Sequence, residues 1–476
     1  MSNQRKLQHL CLRAGFGENI SEINRCLSFP ISKKAEQLFQ DSSNYTELNL
    51  NKELEYTTKK FRSDNSNEIT KEEKRKLVKQ SRQNIKDLNI KWIDKMTYDK
   101  AQLREKMTLF WHGHFACRTP IASFAQNQNN TLRKHALGKF GDLLMAVSKD
   151  PAMLQFLNNQ QNKKFSPNEN FAREVMELFT LGRGKYTEQD IKEAARAFTG
   201  WSFNKEGEFI FRRNTHDFNV KTFFGKTGNF TGEDIVNIIL ENKRTSEFIT
   251  QKIYRYFVNE KLNRDIIDEL SKQFYQSEYN IERLMENIFL SDWFYDRENI
   301  GAKIKSPIEF IVGMNRSFNV EYKNPMPLLS LQKVMGQMLF NPPNVAGWAG
   351  GKNWIDTSSL MYRLKLPENI FKSSNLEFDF KEDLSEEGEM YAEQSKNEKK
   401  KYKLMSTKTD LVSYIKEFSK FDDEEILSNL SEYLIQSDLS KETKKTILSY
   451  SDNSSKENFI ESLTLRLITL PEYQIC

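Results

Sequence analysis

The chain has 476 residues, 38% of them hydrophobic and 29% charged. That is enough apolar content to bury a sizeable core and excludes a disordered or fibrous chain. Its 71 basic and 66 acidic residues nearly balance, leaving +5; the signs are mixed along the chain, which argues against a nucleic-acid groove.

The first twenty residues, MSNQRKLQHLCLRAGFGENI, contain no apolar core and no cleavage site, so they do not read as a signal peptide. No run reaches the ~18 apolar residues of a membrane helix. The four cysteines form no C-x-x-C pair and suggest no disulfide framework. Free thiols and a chain that begins in the cytoplasm are expected. Within this stretch His9 and Arg13 are one helical turn apart, and Gly15-Phe16-Gly17 ends the helix; packing is the expected role.

Residues 70–96 carry Leu77, Ile85, Leu88 and Trp92 on one stripe behind a Thr70/Glu73 capping box, which predicts a helix. FWHGHF, residues 110–115, places His112 and His114 among aromatic side chains. Imidazole is the commonest metal ligand. The two rings share a side if this segment is extended or turned and diverge by about 200° if it is helical. The pair therefore either chelates an ion or hydrogen-bonds buried backbone at a helix end.

Residues 131–147 have apolar positions at helical spacing. Asp150-Pro151 opens another helix, with Asp at the N-cap and Pro at the first position. Ser166-Pro167-Asn168-Glu169 predicts a box-and-proline start that runs to a glycine stop at Gly182. Asn170, Glu174 and Glu177 share one strip of that helix, beside the core stripe. Two carboxylates facing partly inward need a cation: a metal ion, or an arginine such as Arg173, Arg183 or Arg196. Helical bundles that hold di-metal centres use glutamates in this manner. Glu169, third in the box, is explained by capping alone.

Thr187 and Asp190 open the next helix. Residues 207–225 alternate in part and predict a β-hairpin, or a pair of short strands, around a turn at Asp217-Phe218-Asn219. His216 and Asp217 sit at this break, either as site residues on a loop or as turn formers. Helices resume at Thr231, and Ser306-Pro307-Ile308-Glu309 repeats the box-and-proline start. NPPNVAGWAGGKNW, residues 341–354, sets Trp348 and Trp354 in a glycine-rich loop, to stack on a sugar or peptide or to fill a core gap. Residues 380–408 are strongly charged and read as a linker or insertion.

The expected fold is therefore mainly α: a large multi-helix domain over residues 1–370 with one short β-hairpin near 207–225 and a helical arm at 45–100. A charged linker at 371–408 and a C-terminal helical segment at 409–476, packing back on the core, complete it. No G-x-S-x-G elbow, Walker loop, H-E-x-x-H helix or dinucleotide fingerprint occurs.

Taken together, LQHLCLRAGFG, FWHGHF, PNENFAREVMELFTLGRGKYTEQDIKEAARAFTGW, THDFNVKTFFG, PPNVAGW and the terminal LPEYQ resemble the large bacterial family called domain of unknown function 1800. The resemblance covers about residues 5–365 and the last twenty or so. It implies no particular reaction. It does imply that His9, His112, His114, Glu174, Glu177, His216 and Asp217 lie in family motifs. It also implies association with a second, sulfatase-like family bearing export signals, so that this chain either stays in the cytoplasm or leaves as a folded passenger.

Two function classes follow. In the first, a metal-dependent hydrolase or oxidoreductase holds Fe, Mn or Zn through His112, His114 and His216, with Glu174, Glu177 and Asp217 as acid/base groups. Asn170, Arg173, Trp348 and Trp354 then bind a substrate, a glycan or a peptide. In the second, the chain is a non-catalytic binding or maturation partner of a sulfatase-like protein, and its buried polar residues specify the fold.

Overall fold

The computed structural model describes residues 2–50, 70–372 and 407–476. These hold twenty-one α-helices and three two-stranded antiparallel sheets, so the chain is mainly α, as its periodicity predicts. Most of the expected 371–408 linker, and part of the 45–100 arm, lie outside the described residues.

Helix starts follow local chemistry. Thr70, Thr187 and Ser306 each close a capping box with the residue three positions on, which satisfies amide groups that have no partner inside the helix. Asp150 caps the Pro151–Phe156 helix through the Ala152 and Met153 amides.

Ser166 does not form the expected cap. It closes a tight turn instead, its N–H bonded to Lys163 O at 2.8 Å. The helix begins at Glu169, capped by Asn168. The apolar stripe of 131–147 is likewise two helices, Ala122–His135 and Phe140–Ser148. The Phe140 amide leaves the helical ladder to bond Tyr279 O at 2.9 Å.

The chain forms two compact units. One comprises Met1–Lys34, Tyr295–Met338 and Ala349–Cys476. In it the C-terminal helices Asp423–Leu434 and Lys456–Ile468 pack with the first helix, Asn3–Ala14, and with Thr357–Phe371. Buried Arg13 donates to Asn299 O and Cys476 O. His9 is fully buried, edge-on to Tyr295 at 6.3 Å. Both therefore have the packing role expected of them.

The other unit comprises Ala35–Phe294 and Leu339–Trp348. It carries two hairpins in place of the single one expected: Trp201–Phe203 pairs with Phe209–Phe211, and Lys221–Phe223 with Lys226–Gly228. The 217–219 turn joins the two hairpins. At the heart of this unit lies a carboxylate with no exposure to solvent, Glu105. It accepts from Arg133 at 2.6 and 3.0 Å and from Trp92 Nε1 at 2.8 Å. One side chain thereby ties three helices: Lys71–Tyr98, Gln102–His114 and Ala122–His135.

Removing one partner of such a pair strands a buried charge. Glu105→Ala is expected to lose about 3–5 kcal/mol of stability, and Glu105→Gln less, because the amide oxygen still accepts. Urea unfolding of the three proteins checks this; an alanine variant as stable as wild type would refute the role.

Candidate functional site

FWHGHF lies at the end of the Gln102–His114 helix, so the two imidazoles point apart. His112 is 1% exposed. Its ring meets Trp92 at 5.1 Å, Phe340 at 5.3 Å and Trp348 at 5.5 Å. Its Nε2 accepts the Phe340 N–H at 3.1 Å. Burial lowers its pKa to about 3, so it is a neutral acceptor.

His114 turns the other way, against Phe110, Phe115 and Phe179. Its Nε2 donates to Phe179 O at 3.1 Å. Burial and then Lys252 push its pKa well down. Each ring thus braces backbone of a different segment, and the pair does not chelate.

His216 follows a short 3-10 turn, Arg213–Thr215. Its Nδ1 donates to Thr199 O at 2.8 Å, and its ring lies between Phe211 and Phe218. Burial lowers its pKa. Gly200 makes this approach feasible: it has φ +83°, and a Cβ there would meet Arg212 O at 2.8 Å and His216 Cβ at 3.3 Å.

Asp217 accepts from Arg196 Nε at 2.7 Å and from the Asn219 amide at 2.9 Å, while its own amide donates to Thr199 Oγ1. Burial pushes its carboxyl upward, but the Arg196 and Asn219 bonds outweigh that and hold it below the usual range. Arg196 also binds Glu193 at 2.8 Å, and Glu193 takes the Thr222 amide. This network fixes the 217–222 segment, and with it the second hairpin, on the Glu188–Ala197 helix.

The remaining carboxylates behave differently. The Glu169–Glu174 α-helix passes directly into a π-helix, Val175–Thr180. Wider bonds mark the change: Leu181 N–H reaches Met176 O, and Thr180 Oγ1 donates to Val175 O at 2.6 Å. Glu174 ends the α-helical part and Glu177 sits within the π part.

Glu177 accepts from Arg183 Nε at 2.8 Å and from the Tyr186 hydroxyl. Those bonds, Tyr186 first, lower its pKa despite partial burial. Glu174 is half-buried, and burial followed by the charge of Glu177 raises its pKa. Arg173, a candidate counter-ion, is engaged elsewhere: it forks onto Glu188 at 2.9 and 3.0 Å and reaches Glu169 at 3.3 Å. Asn170 Nδ2 donates to Leu157 O at 3.3 Å.

Trp348 covers His112 and Trp354 is 8% exposed within its own unit. Trp354 fills a core gap, whereas Trp348, packed on His112 along one side, is half-exposed. Among the described residues no three His, Cys, Asp or Glu side chains are grouped to hold a metal ion. The three histidines named as ligands in the sequence are thus not brought together. Glu174 and Glu177 are neighbours, as the i, i+3 spacing anticipates. The π-helix and the Tyr186 contact carry no signal that sequence periodicity detects.

A family described as protein of unknown function (DUF1800) matches residues 9–475. No curated protein and no solved structure matches.

The buried histidines predict a pH dependence of stability. A histidine whose folded pKa lies below its unfolded value stabilises the fold fully above about pH 6.5, and that contribution is lost as pH falls toward the folded value. For His112 the slope approaches about 1.4 kcal/mol per pH unit. His112→Gln keeps an acceptor for the Phe340 amide but does not titrate. Its loss of stability between about pH 7 and about pH 5.5 in urea unfolding is expected to be smaller than that of wild type by about 1 kcal/mol, because the limiting slope is reached only below the unfolded pKa. Equal slopes would show that His112 is not held neutral.

Proposed function

The chain belongs to the DUF1800 family, and we propose that it is a hydrolase-type acid–base enzyme working at Glu174 and Glu177. The observation that carries this reading is the divergence of two adjacent carboxyls. Glu174 is biased toward its protonated form by burial and by Glu177, while Glu177 is held ionised by Tyr186 and Arg183. Carboxyls pushed apart in this way suit one proton donor and one charged partner. The π-helix that carries Glu177 supports the same reading, since such segments recur at functional sites.

In this reading water attacks as the bond to the leaving group breaks; Glu174 gives that group its proton, and Glu177 takes the proton that the water loses. The substrate is defined by bond type alone. The glycan or peptide expectation drew on Trp348 and Trp354, of which Trp354 is buried and Trp348 half-exposed. An ion of the Fe, Mn or Zn class enters only as an addition at the two carboxylates, because His112, His114 and His216 are not brought together. One observation favours a second reading, a non-catalytic partner of a sulfatase-like protein: three motif histidines serve the fold.

The test is a panel of chromogenic esters, peptides and glycosides with wild type, Glu174→Gln and Glu177→Gln. Glu174→Gln is expected to lose about 10²–10⁴-fold in rate. Wild-type activity should fall as pH rises through the raised Glu174 pKa. Glu177→Gln removes the neighbouring charge, so that limb should move to lower pH. Elemental analysis of tag-free protein accompanies it; about one equivalent of metal lost in a Glu174→Gln/Glu177→Gln variant would make the reaction metal-assisted. Turnover unaffected by Glu174→Gln, or none on any substrate, would favour the partner reading.

A further inference from the structure

Two loops of the unit formed by Ala35–Phe294 and Leu339–Trp348 meet at the surface. Residues 163–166 form a tight turn closed by Ser166 N–H on Lys163 O, and Lys164 N–H bonds Thr215 O of the second loop at 2.8 Å. At the first tip Phe165 is 91% exposed. On the second loop Phe218 is 47% and Val220 62% exposed. Burial is the default for phenylalanine, so a nearly bare ring at a turn tip calls for a function.

Cations surround these apolar groups. Lys163, Lys164, Arg212 and Arg213 are all exposed, and none forms an ion pair with another described residue. Lys164 Nζ lies 4.9 Å from the Phe165 ring, and the Arg213 guanidinium 5.6 Å from that of Phe218. The one acidic residue in 163–168 and 212–220 is Asp217, which is buried and turned onto Arg196. These two loop segments therefore present four exposed cations and no exposed carboxylate of their own.

Its base is rigid. His216 packs edge-on beneath Phe218 at 4.7 Å, and Arg196 Nη2 donates to Val220 O at 3.2 Å. The THDF motif thus holds Phe218 and Val220 out toward solvent.

We propose that this aromatic and basic surface docks on anionic lipid headgroups. The apolar groups stand out from turn tips and line no groove, so they suit a medium they can enter. The headgroup boundary of a bilayer is such a medium, and its negative charge matches four unpaired cations. A polyanion alone would match the cations and leave the phenyl rings without a role. No spanning segment is required, and no described helix is long and apolar enough to cross a membrane.

The experiment is co-sedimentation of the full chain with phosphatidylcholine vesicles, with and without phosphatidylglycerol. Wild type should bind the anionic vesicles only, and less as salt rises. Phe165→Ser, at a site with few neighbours, should weaken binding about tenfold or more. Lys163→Gln/Lys164→Gln/Arg213→Gln should weaken it by about fivefold for each cation removed. Circular dichroism confirms that both variants fold. Wild type that stays in the supernatant would overturn the proposal. So would a Phe165→Ser variant that binds as wild type while both are retained equally on heparin, because the surface would then be a general polyanion site.

Discussion

A single buried acidic side chain at the centre of one unit sets the geometry around it. Glu105 has no contact with solvent, yet its two oxygens hold Arg133 and the Trp92 indole. Burying a carboxylate is costly unless it is paired and fully hydrogen-bonded. Three helices must therefore arrive in one register or the charge is stranded. Trp92, once placed, supplies the edge-on wall against which His112 packs at 5.1 Å. The acid is thus upstream of the aromatic pocket that FWHGHF marks in the sequence.

The same economy governs the histidines. Irregular backbone that is buried needs partners for its amides and carbonyls. His112 supplies one for the Phe340 amide, His114 for the Phe179 carbonyl, and His216 for the Thr199 carbonyl. A neutral imidazole can serve as donor or acceptor according to tautomer, which makes it apt for each of these places. A ligand role would require lone pairs converging on one point, and these three rings are directed at three separate segments.

The proposed acid–base pair lies where the helix geometry changes. The step from α- to π-helix at Val175 puts Glu174 and Glu177 on either side of the transition. Tyr186 and Arg183 engage one carboxylate and leave its neighbour under burial and like charge. Further along the chain, the Arg196, Asp217 and Glu193 network anchors the 217–222 segment, where Phe218 and Val220 are exposed.

Much of the local architecture was legible in the sequence alone. The helices, their capping boxes at Thr70, Thr187 and Ser306, the Asp150-Pro151 start and the mainly α class all rest on spacing and on side chains within a turn of their partners. The adjacency of Glu174 and Glu177 is of the same kind. Tertiary structure decided what depends on distant partners: that Ser166 closes a turn where a cap was expected, and that the 131–147 stripe breaks where Phe140 bonds Tyr279. It also decided that His112 and His114 brace backbone, and that Glu105 meets Arg133. Local periodicity reports which face of an element is apolar. It carries no information about which buried donor, scores of residues away, a polar side chain on that face will meet.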